Sequence, residues 1–247
     1  MADPEDRQPE EKLAKKTVTA TAMRRLGAAK EAIAVTKQVI SFGAGNQVEA
    51  IAASNMNSKF RMDAMREPSY WELAPELSKM ARENPEALVA AKADLVHGGN
   101  CGEHGWIAFD YIREHCAGDM IERVTSDIDH GFALIGDRSE EAASDIAVAD
   151  PWPTRATACL WEDHFCYATG ITSRKAMEAD GQSLKGAIAA GLKLSEAGKT
   201  AAAQTATAEV TTDAVDNWKA NHFWDQADTA AQGSKFDYTT TTTTSGG

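Results

Sequence analysis

The sequence lacks the long apolar run of a membrane-spanning protein and the basic surplus of a nucleic-acid-binding one. No stretch approaches the roughly 20 apolar residues that a membrane-spanning helix needs. The 247 residues include 25 Lys and Arg against 37 Asp and Glu, a net charge of −12. Such a charge argues against phosphate-bearing partners and anionic membrane surfaces. We therefore expect no nucleic-acid partner and no membrane span.

Cysteine is scarce, and the opening residues contain no apolar segment. Four cysteines in a chain of this length do not predict a disulfide framework. Residues 1–16 are strongly charged and lack the apolar h-region of a Sec signal peptide. These features favour a reducing compartment, in which thiols stay free to act as nucleophiles. The four are Cys101, Cys116, Cys159 and Cys166.

Common cofactor and metal motifs are also missing. The chain has no Walker A loop, no dinucleotide fingerprint, no Gly-x-Ser-x-Gly elbow and no HExxH pair. His97, Cys101 and His104 are spaced as zinc ligands can be. A structural zinc site, however, needs four convergent ligands, usually with a close pair of cysteines, and no such pair exists here. The sequence therefore predicts neither a cofactor nor a bound metal.

Composition divides the chain into three parts. Residues 1–16 mix acids and bases with two prolines, and they are predicted to form a disordered leader. Residues 17–180 are predicted to form the folded domain, with a helical pattern up to about residue 95. Residues 181–247 are rich in Gly, Ala and Thr, and we expect a low-complexity tail that is partly helical or flexible.

Three helices are predicted in the N-terminal part of the domain. Apolar residues between Leu26 and Ile40 lie roughly on one face, and the pattern breaks at residues 43–45. Residues 71–81 form a second candidate helix. Asn84 is expected to cap a third helix, with Pro85 in its first turn, where a missing N–H costs little.

The most informative segment is the one around Cys101. Two glycines precede it, and we expect them to allow unusual backbone dihedrals. Apolar residues recur at helical spacing after it, so Cys101 is predicted to lie in the first turn of a core-facing helix. The unpaired N–H groups and the positive dipole end of such a helix favour the thiolate, which is the nucleophilic form of cysteine. Cys116, further along the same apolar stripe, is expected in the core.

A cysteine nucleophile needs a base, and two apolar strands downstream offer one with a partner. Residues 120–125, 130–136 and 146–150 each have the pattern of a strand. If the last two pair about a midpoint at residue 140, His130 lies directly opposite Asp150 on the same face. Asp150 would then orient His130, and His130 would deprotonate Cys101. Pro151 would end the strand, and Trp152 would shield the pair from water.

Each of these residues alone has an ordinary structural explanation. A cysteine at a helix start is usually a small buried residue. A histidine at a strand start is usually a satisfied polar group, and an aspartate before proline usually forms a turn. The order nucleophile, base and orienting group, each at the end of an apolar element, favours a catalytic triad. His164 remains the rival base.

The three motifs around these residues resemble the papain-like and transglutaminase-like toxin domains of bacterial effectors. The segments are Gly99-Asn-Cys-Gly-Glu-His104, Asp129-His-Gly-Phe-Ala133 and Ala149-Asp-Pro-Trp152, and the resemblance covers about residues 80–170. It implies an α+β fold with a papain-like core, in which the Cys101 helix packs on a small antiparallel sheet holding His130 and Asp150. It also implies a thioester on Cys101. Asn100 and Trp152 are the expected substrate-binding residues, Asn100 as a weak candidate for an oxyanion donor.

The function that this resemblance implies is acyl transfer on a target protein in a recipient cell, most simply deamidation or transamidation of a Gln or Asn side chain. Such an effector would reside in the bacterial cytoplasm before delivery by a non-Sec route, and an immunity protein or chaperone would be a plausible partner. A thiol protease with the same triad is the first alternative. A non-catalytic interaction protein that binds through the helical region and Trp218, Phe223 and Trp224 is the second.

Only 29 residues separate Cys101 from His130, far fewer than the interval in papain-type proteases. Those longer insertions build much of the second domain and the substrate cleft. A compact core has less material for a long peptide groove. We therefore expect a side-chain amide as substrate rather than a backbone amide.

Overall fold

The protein, described over residues 13–221 and 235–240 by a computed structural model, has a mixed α+β architecture, as the sequence predicted. No helix in these ranges is both long and apolar enough to cross a membrane. The helices are α1 (Ala20–Val39), α2 (Val48–Ala53), α3 (Asn57–Arg66), α4 (Ser78–Glu83), α5 (Pro85–Val96), α6 (Cys101–His115), α7 (Lys185–Ala190), α8 (Glu196–Ala202) and α9 (Ala208–Asn221). The strands are β1 (Ala14–Val18), β2 (Trp71–Leu73), β3 (Met120–Ser126), β4 (Gly131–Ile135), β5 (Ala147–Ala149), β6 (Cys159–Leu160), β7 (Ile171–Glu178), β8 (Leu192–Leu194) and β9 (Phe236–Thr240).

A five-stranded antiparallel sheet of order β6-β5-β4-β3-β7 forms the centre of the fold. Helices α1 and α6 cover one face, where Phe109 and Ile112 pack against alternate strand residues. The other face carries Phe132 and Leu134, covered by the segment around Trp161. Burial on both faces explains why the strands are apolar at successive positions rather than alternating. Cys116 lies in the α6 core, as predicted.

The predicted pairing of the two site strands is wrong by two residues. Ala133 pairs with Ala149, so the β4–β5 pair is centred on residue 141 rather than 140. Continued outward, this register sets Asp150 opposite Phe132, two residues from His130. Because strand side chains alternate with a period of two, the slip keeps His130 and Asp150 on the same face as diagonal neighbours. A slip of one residue would have separated them.

The second predicted helix is also wrong in its first part. Trp71–Leu73 is strand β2, which pairs with β8, and helix α4 begins only at Ser78. The pairing buries Leu192 against the α5 region, a long-range contact that local periodicity cannot indicate. Pro85 does begin α5. Asn84 makes no side-chain cap, because its Oδ1 accepts from Arg113 Nη1 while its amide N–H donates to the Met80 carbonyl.

Both ends of the predicted domain extend further than expected. Residues 14–16, expected in the leader, belong to β1, which pairs in parallel with β9 from the C-terminal region. Within the expected tail, α7 packs on α5 and α8 packs on α3. Residues 1–12 of the predicted leader lie outside the described residues. So do Phe223 and Trp224, together with the side chain of Trp218.

Candidate active site

Helix α6 begins at Cys101, and a capping box formed by Asn100 and Glu103 stabilises its N-terminus. The Asn100 side chain accepts the N–H of Gly102 at 2.9 Å, and the N–H of Asn100 donates to Glu103 at 2.8 Å. This reciprocal capping box explains why helix formation starts at the cysteine. As the first helical residue, Cys101 has a backbone N–H with no partner inside the helix. The site therefore combines a thiol with a free donor and a positive dipole end.

The two glycines before the cysteine act through their size rather than through unusual dihedrals, which corrects the sequence prediction. Neither has a positive φ; the left-handed residue is His97, at the end of α5. A Cβ on Gly98 would lie 2.5 Å from the Arg61 backbone, and one on Gly99 would lie 2.6 Å from the Glu103 Cβ. The absence of side chains lets this segment pass tightly between α3 and α6.

His130 and Asp150 form a buried hydrogen-bonded pair. His130 Nε2 lies 2.7 Å from Asp150 Oδ2, and the two side chains are almost completely enclosed. Because an ionised carboxylate only accepts, Nε2 carries the proton. Burial lowers the pKa of His130, but the charge and hydrogen bond of Asp150, with a smaller effect of Cys101, outweigh burial and raise it to about 10. Burial would raise the pKa of Asp150, but the charge and hydrogen bond of His130 hold it far below its usual range.

The other ring nitrogen of His130 is available to the cysteine. Nδ1 is buried and accepts no hydrogen bond of good geometry from a described residue. Cys101 Sγ lies 3.7 Å from the carbonyl oxygen of Asp129, a residue held at φ 57° and directly before His130. The thiol therefore lies beside the segment that carries the imidazole, and the imidazole is in turn hydrogen bonded to Asp150.

His164, the rival base in the sequence, binds the opposite side of this chain. The N–H of Cys166 donates to His164 Nδ1 at 3.3 Å, so the proton is on Nε2. Nε2 then donates to Asp150 Oδ2 at 3.1 Å. Burial lowers the pKa of His164 and favours the neutral ring. His164 is therefore a second donor to Asp150, and no described interaction joins it to Cys101.

The same hydrogen bonds bear on metal binding. Among the described residues, His130, Asp150 and His164 are the one set of ligand atoms close enough to hold an ion, within 4.8 Å of one another. A metal on His164 Nε2 would move the ring proton to Nδ1, where the Cys166 N–H already points. The hydrogen bonds therefore favour a proton-carrying network over a metal site. His97 and His104, from the zinc alternative, instead bond the backbone carbonyls of Val39 and Asn100.

The two expected substrate-binding residues have structural partners. Asn100 caps α6 with its carbonyl oxygen. Trp152 is fully buried, with its ring 5.1 Å from that of His130, so it shields the pair from water as expected. Its indole N–H donates to Asn46 Oδ1 at 3.0 Å. Asp150 Oδ1 accepts the Trp152 backbone N–H at 3.2 Å, which completes three hydrogen bonds to this carboxylate.

Comparison of the chain with protein-family models, with curated proteins and with solved structures finds no match. The geometry of the site therefore has to support any function by itself.

Three contributors to the site escaped the sequence analysis or were misassigned by it. His164 was weighed only as a base. Asn46 is 7% exposed, orders Trp152, and its Nδ2 donates to no residue in the described ranges. Its only signal was the break in helical pattern at residues 43–45. Arg123 is a buried charge in β3, a strand that also carries Glu122, so the sequence offered no signal that singled it out.

The raised pKa of His130 predicts a pH dependence of stability. A histidine with a folded pKa above its unfolded value stabilises the protein below the unfolded value, and this contribution is lost as pH rises through the folded value. The window runs from 6.5 to about 10. We expect the difference in unfolding free energy between wild type and His130→Gln to shrink across it, as measured by urea denaturation. The exposed His115 is the control, and a parallel loss in His115→Gln would contradict the assignment.

Proposed function

We propose that the protein is a cysteine-nucleophile enzyme that transfers the acyl group of a Gln or Asn side chain of a target protein. The observation that supports this best is the buried hydrogen bond between His130 and Asp150 next to a thiol at a helix start, where Cys101 Sγ lies 3.7 Å from the carbonyl of Asp129. Nucleophile, base and orienting group occur in that order along the chain, and the side chain of the base is buried.

The first half of the reaction releases ammonia. In the first step the Cys101 thiol passes its proton to Nδ1 of His130, the ring nitrogen that accepts no hydrogen bond from a described residue. The sulfur attacks the carboxamide carbon, and the free N–H of Cys101 stabilises the oxyanion. His130 then gives its Nδ1 proton to the departing nitrogen. The C–N bond breaks, ammonia leaves, and a thioester to Cys101 remains.

The second half regenerates the thiol. Neutral His130 removes a proton from water at Nδ1 and the resulting nucleophile attacks the thioester carbon. The C–S bond breaks and the proton returns to the sulfur, which leaves Glu or Asp in the target. A lysine amine in place of water would give an isopeptide bond by the same steps. Asp150 keeps Nε2 protonated and the ring oriented throughout.

The compact site favours a side-chain amide over a polypeptide. Between Cys101 and His130 the chain forms only α6, β3 and their short connections. Cys101 is 6% exposed. A groove of about 980 Å³ runs beside α1 and β9, but its lining includes none of the three site residues. A protease with the same triad is the alternative that the target analysis below distinguishes.

The biological setting follows from the resemblance alone. We propose a bacterial effector delivered by a non-Sec route, with a protein of the recipient cell as its target. An immunity protein or chaperone would bind it before delivery.

The first test is selective alkylation of the native protein by iodoacetamide at neutral pH, read by peptide mass spectrometry. Cys159 is the matched control, because it is 8% exposed against 6% for Cys101. Burial raises the pKa of Cys159 and of Cys116 and Cys166. We expect Cys101 to react more than about tenfold faster than the others, since only a thiolate attacks. Equal rates at Cys101 and Cys159 would refute the proposal.

The second test identifies the reaction on a target. Recipient-cell proteins treated with wild type or with Cys101→Ala are compared by mass spectrometry. Deamidation raises a peptide mass by about 1 Da, as expected for exchange of NH₂ for OH on the acyl carbon. Transamidation adds the mass of the amine, and proteolysis produces two fragments. The same products from Cys101→Ala would exclude Cys101 as the nucleophile.

A further inference from the structure

Arg123 is a buried cation without a carboxylate partner. It lies in the middle of β3, is 3% exposed, and makes no ion pair with any described acid. An unpaired buried charge normally costs several kcal/mol. Burial lowers the pKa of Arg123 to about 10, and nearby negative groups partly oppose that effect. A retained guanidinium of this kind needs an explanation.

Two glycines, Gly105 and Gly131, leave the space that the guanidinium occupies next to the first turn of α6. Its Nη2 donates to the Gly102 carbonyl at 3.1 Å, and the group lies 5.2 Å from the ring of Trp106. A Cβ on Gly105 would lie 2.7 Å from Nε, and one on Gly131 would overlap Nη2. The Nε atom is buried and donates to no described residue. Nη1 donates to the Val124 carbonyl, so carbonyl oxygens accept hydrogen bonds from both Nη atoms but supply no negative charge to the guanidinium.

The guanidinium of Arg123 lies between the start of α6 and the segment that carries His130. Its Nη2 bonds the carbonyl of Gly102, the residue after Cys101, and Cys101 Sγ lies 3.7 Å from the carbonyl oxygen of Asp129, the residue before His130. Cys101, Glu103 and Asp150 oppose the effect of burial on the pKa of Arg123, while Arg174 acts in the opposite sense. The charged and titratable groups around the thiol are therefore Arg66, Glu103, Arg123, His130 and Asp150.

We propose that Arg123 is a positioning residue whose buried guanidinium serves as a counter-charge to the Cys101 thiolate. It also ties the Gly102 carbonyl, and with it the first turn of α6, to the sheet. This inference rests on the proposed cysteine nucleophile. It adds that the thiolate formed when His130 takes the proton of the thiol is stabilised by a fixed charge from β3 as well as by the protonated His130.

The test measures the iodoacetamide rate at Cys101 against pH. Arg123→Gln keeps amide N–H donors for the carbonyls but removes the charge, and Arg123→Lys keeps the charge. We expect Arg123→Gln to move the midpoint of the rate profile up by about one pH unit, equivalent to a tenfold lower rate at neutral pH. The plateau rate at high pH should stay unchanged, because all variants are then thiolates. Arg123→Lys should retain the wild-type midpoint.

Arg138→Met is the matched control, because Arg138 pairs with Glu122 away from the thiol. A midpoint in Arg123→Gln equal to that of wild type and Arg138→Met would overturn the inference. An equal shift in Arg123→Lys and Arg123→Gln would also overturn it, since the effect would then be positional. If Arg123→Gln does not fold, Arg123→Met replaces it, with the same expected shift of the midpoint and the same contradicting result. An inert wild-type Cys101 would instead refute the proposed function, so the two failures are distinguishable.

Discussion

Replacing His130 with alanine should trap the acyl-enzyme. With p-nitrophenyl acetate as a probe, we expect acetyl-Cys101 to form and then hydrolyse about 10²- to 10⁴-fold more slowly than in wild type, the usual contribution of a positioned base. The reason is that water needs a proton acceptor, and Nδ1 is the ring nitrogen of His130 that accepts no hydrogen bond from any residue in the described part of the chain. Intact-protein mass spectrometry follows the adduct over time.

The control for this experiment is His115→Ala on the same helix. His115 is exposed and stacks on Tyr111, so its loss should leave hydrolysis of the adduct unchanged. If the His130→Ala adduct hydrolyses as fast as that of wild type, His130 is not the base. Persistence of the adduct in His164→Ala but not in His130→Ala would assign the base to His164.

Replacing Arg113 with methionine should destabilise the protein by about 3–5 kcal/mol, the cost of leaving a buried charge short of its partner. Arg113 Nη1 lies 2.7 Å from Glu86 Oε1, and Glu86 is fully buried. The same guanidinium binds both carboxylate oxygens of Asp180. Lys175 is the remaining partner of Glu86, at 2.7 Å. Urea unfolding measures the change.

The matched control is again Arg138→Met. Arg138 binds Glu122 through two hydrogen bonds of 2.6 Å, but its side chain is 26% exposed. A pair with that access to solvent should contribute only about 1 kcal/mol or less. Adding Glu86→Leu to Arg113→Met should recover part of the loss, because the uncompensated charge is removed. Equal losses in the two arginine variants would contradict a special role for the buried network.

The sequence carried enough information to place the reactive residues at the ends of elements. Cys101 was assigned to a helix start from the apolar spacing that follows it, and the structure begins α6 there. His130 precedes β4, and Asp150 follows β5. These placements depend on local periodicity, which repeats within one element and needs no partner. The class α+β follows for the same reason.

The register of the strands could not be obtained in the same way. The midpoint at residue 140 assumed a symmetric turn, whereas the connection contains the short 3₁₀ turn Ala143–Asp145 and the pairing is centred on residue 141. Only the parity of the register mattered for the site, because side chains two residues apart share a face. The imidazole and carboxylate therefore meet at 2.7 Å despite the error.

The sequence by itself determined the helix that begins at Cys101 and the strands next to His130 and Asp150. It also determined the net charge of −12. Only the tertiary structure decided that His164 donates to Asp150 and that Arg123 binds the Gly102 carbonyl in the first turn of α6. The physical reason is distance along the chain. Periodicity is set by neighbours within a few residues, whereas these contacts join separate elements, and their geometry exists only after the sheet and α6 have packed.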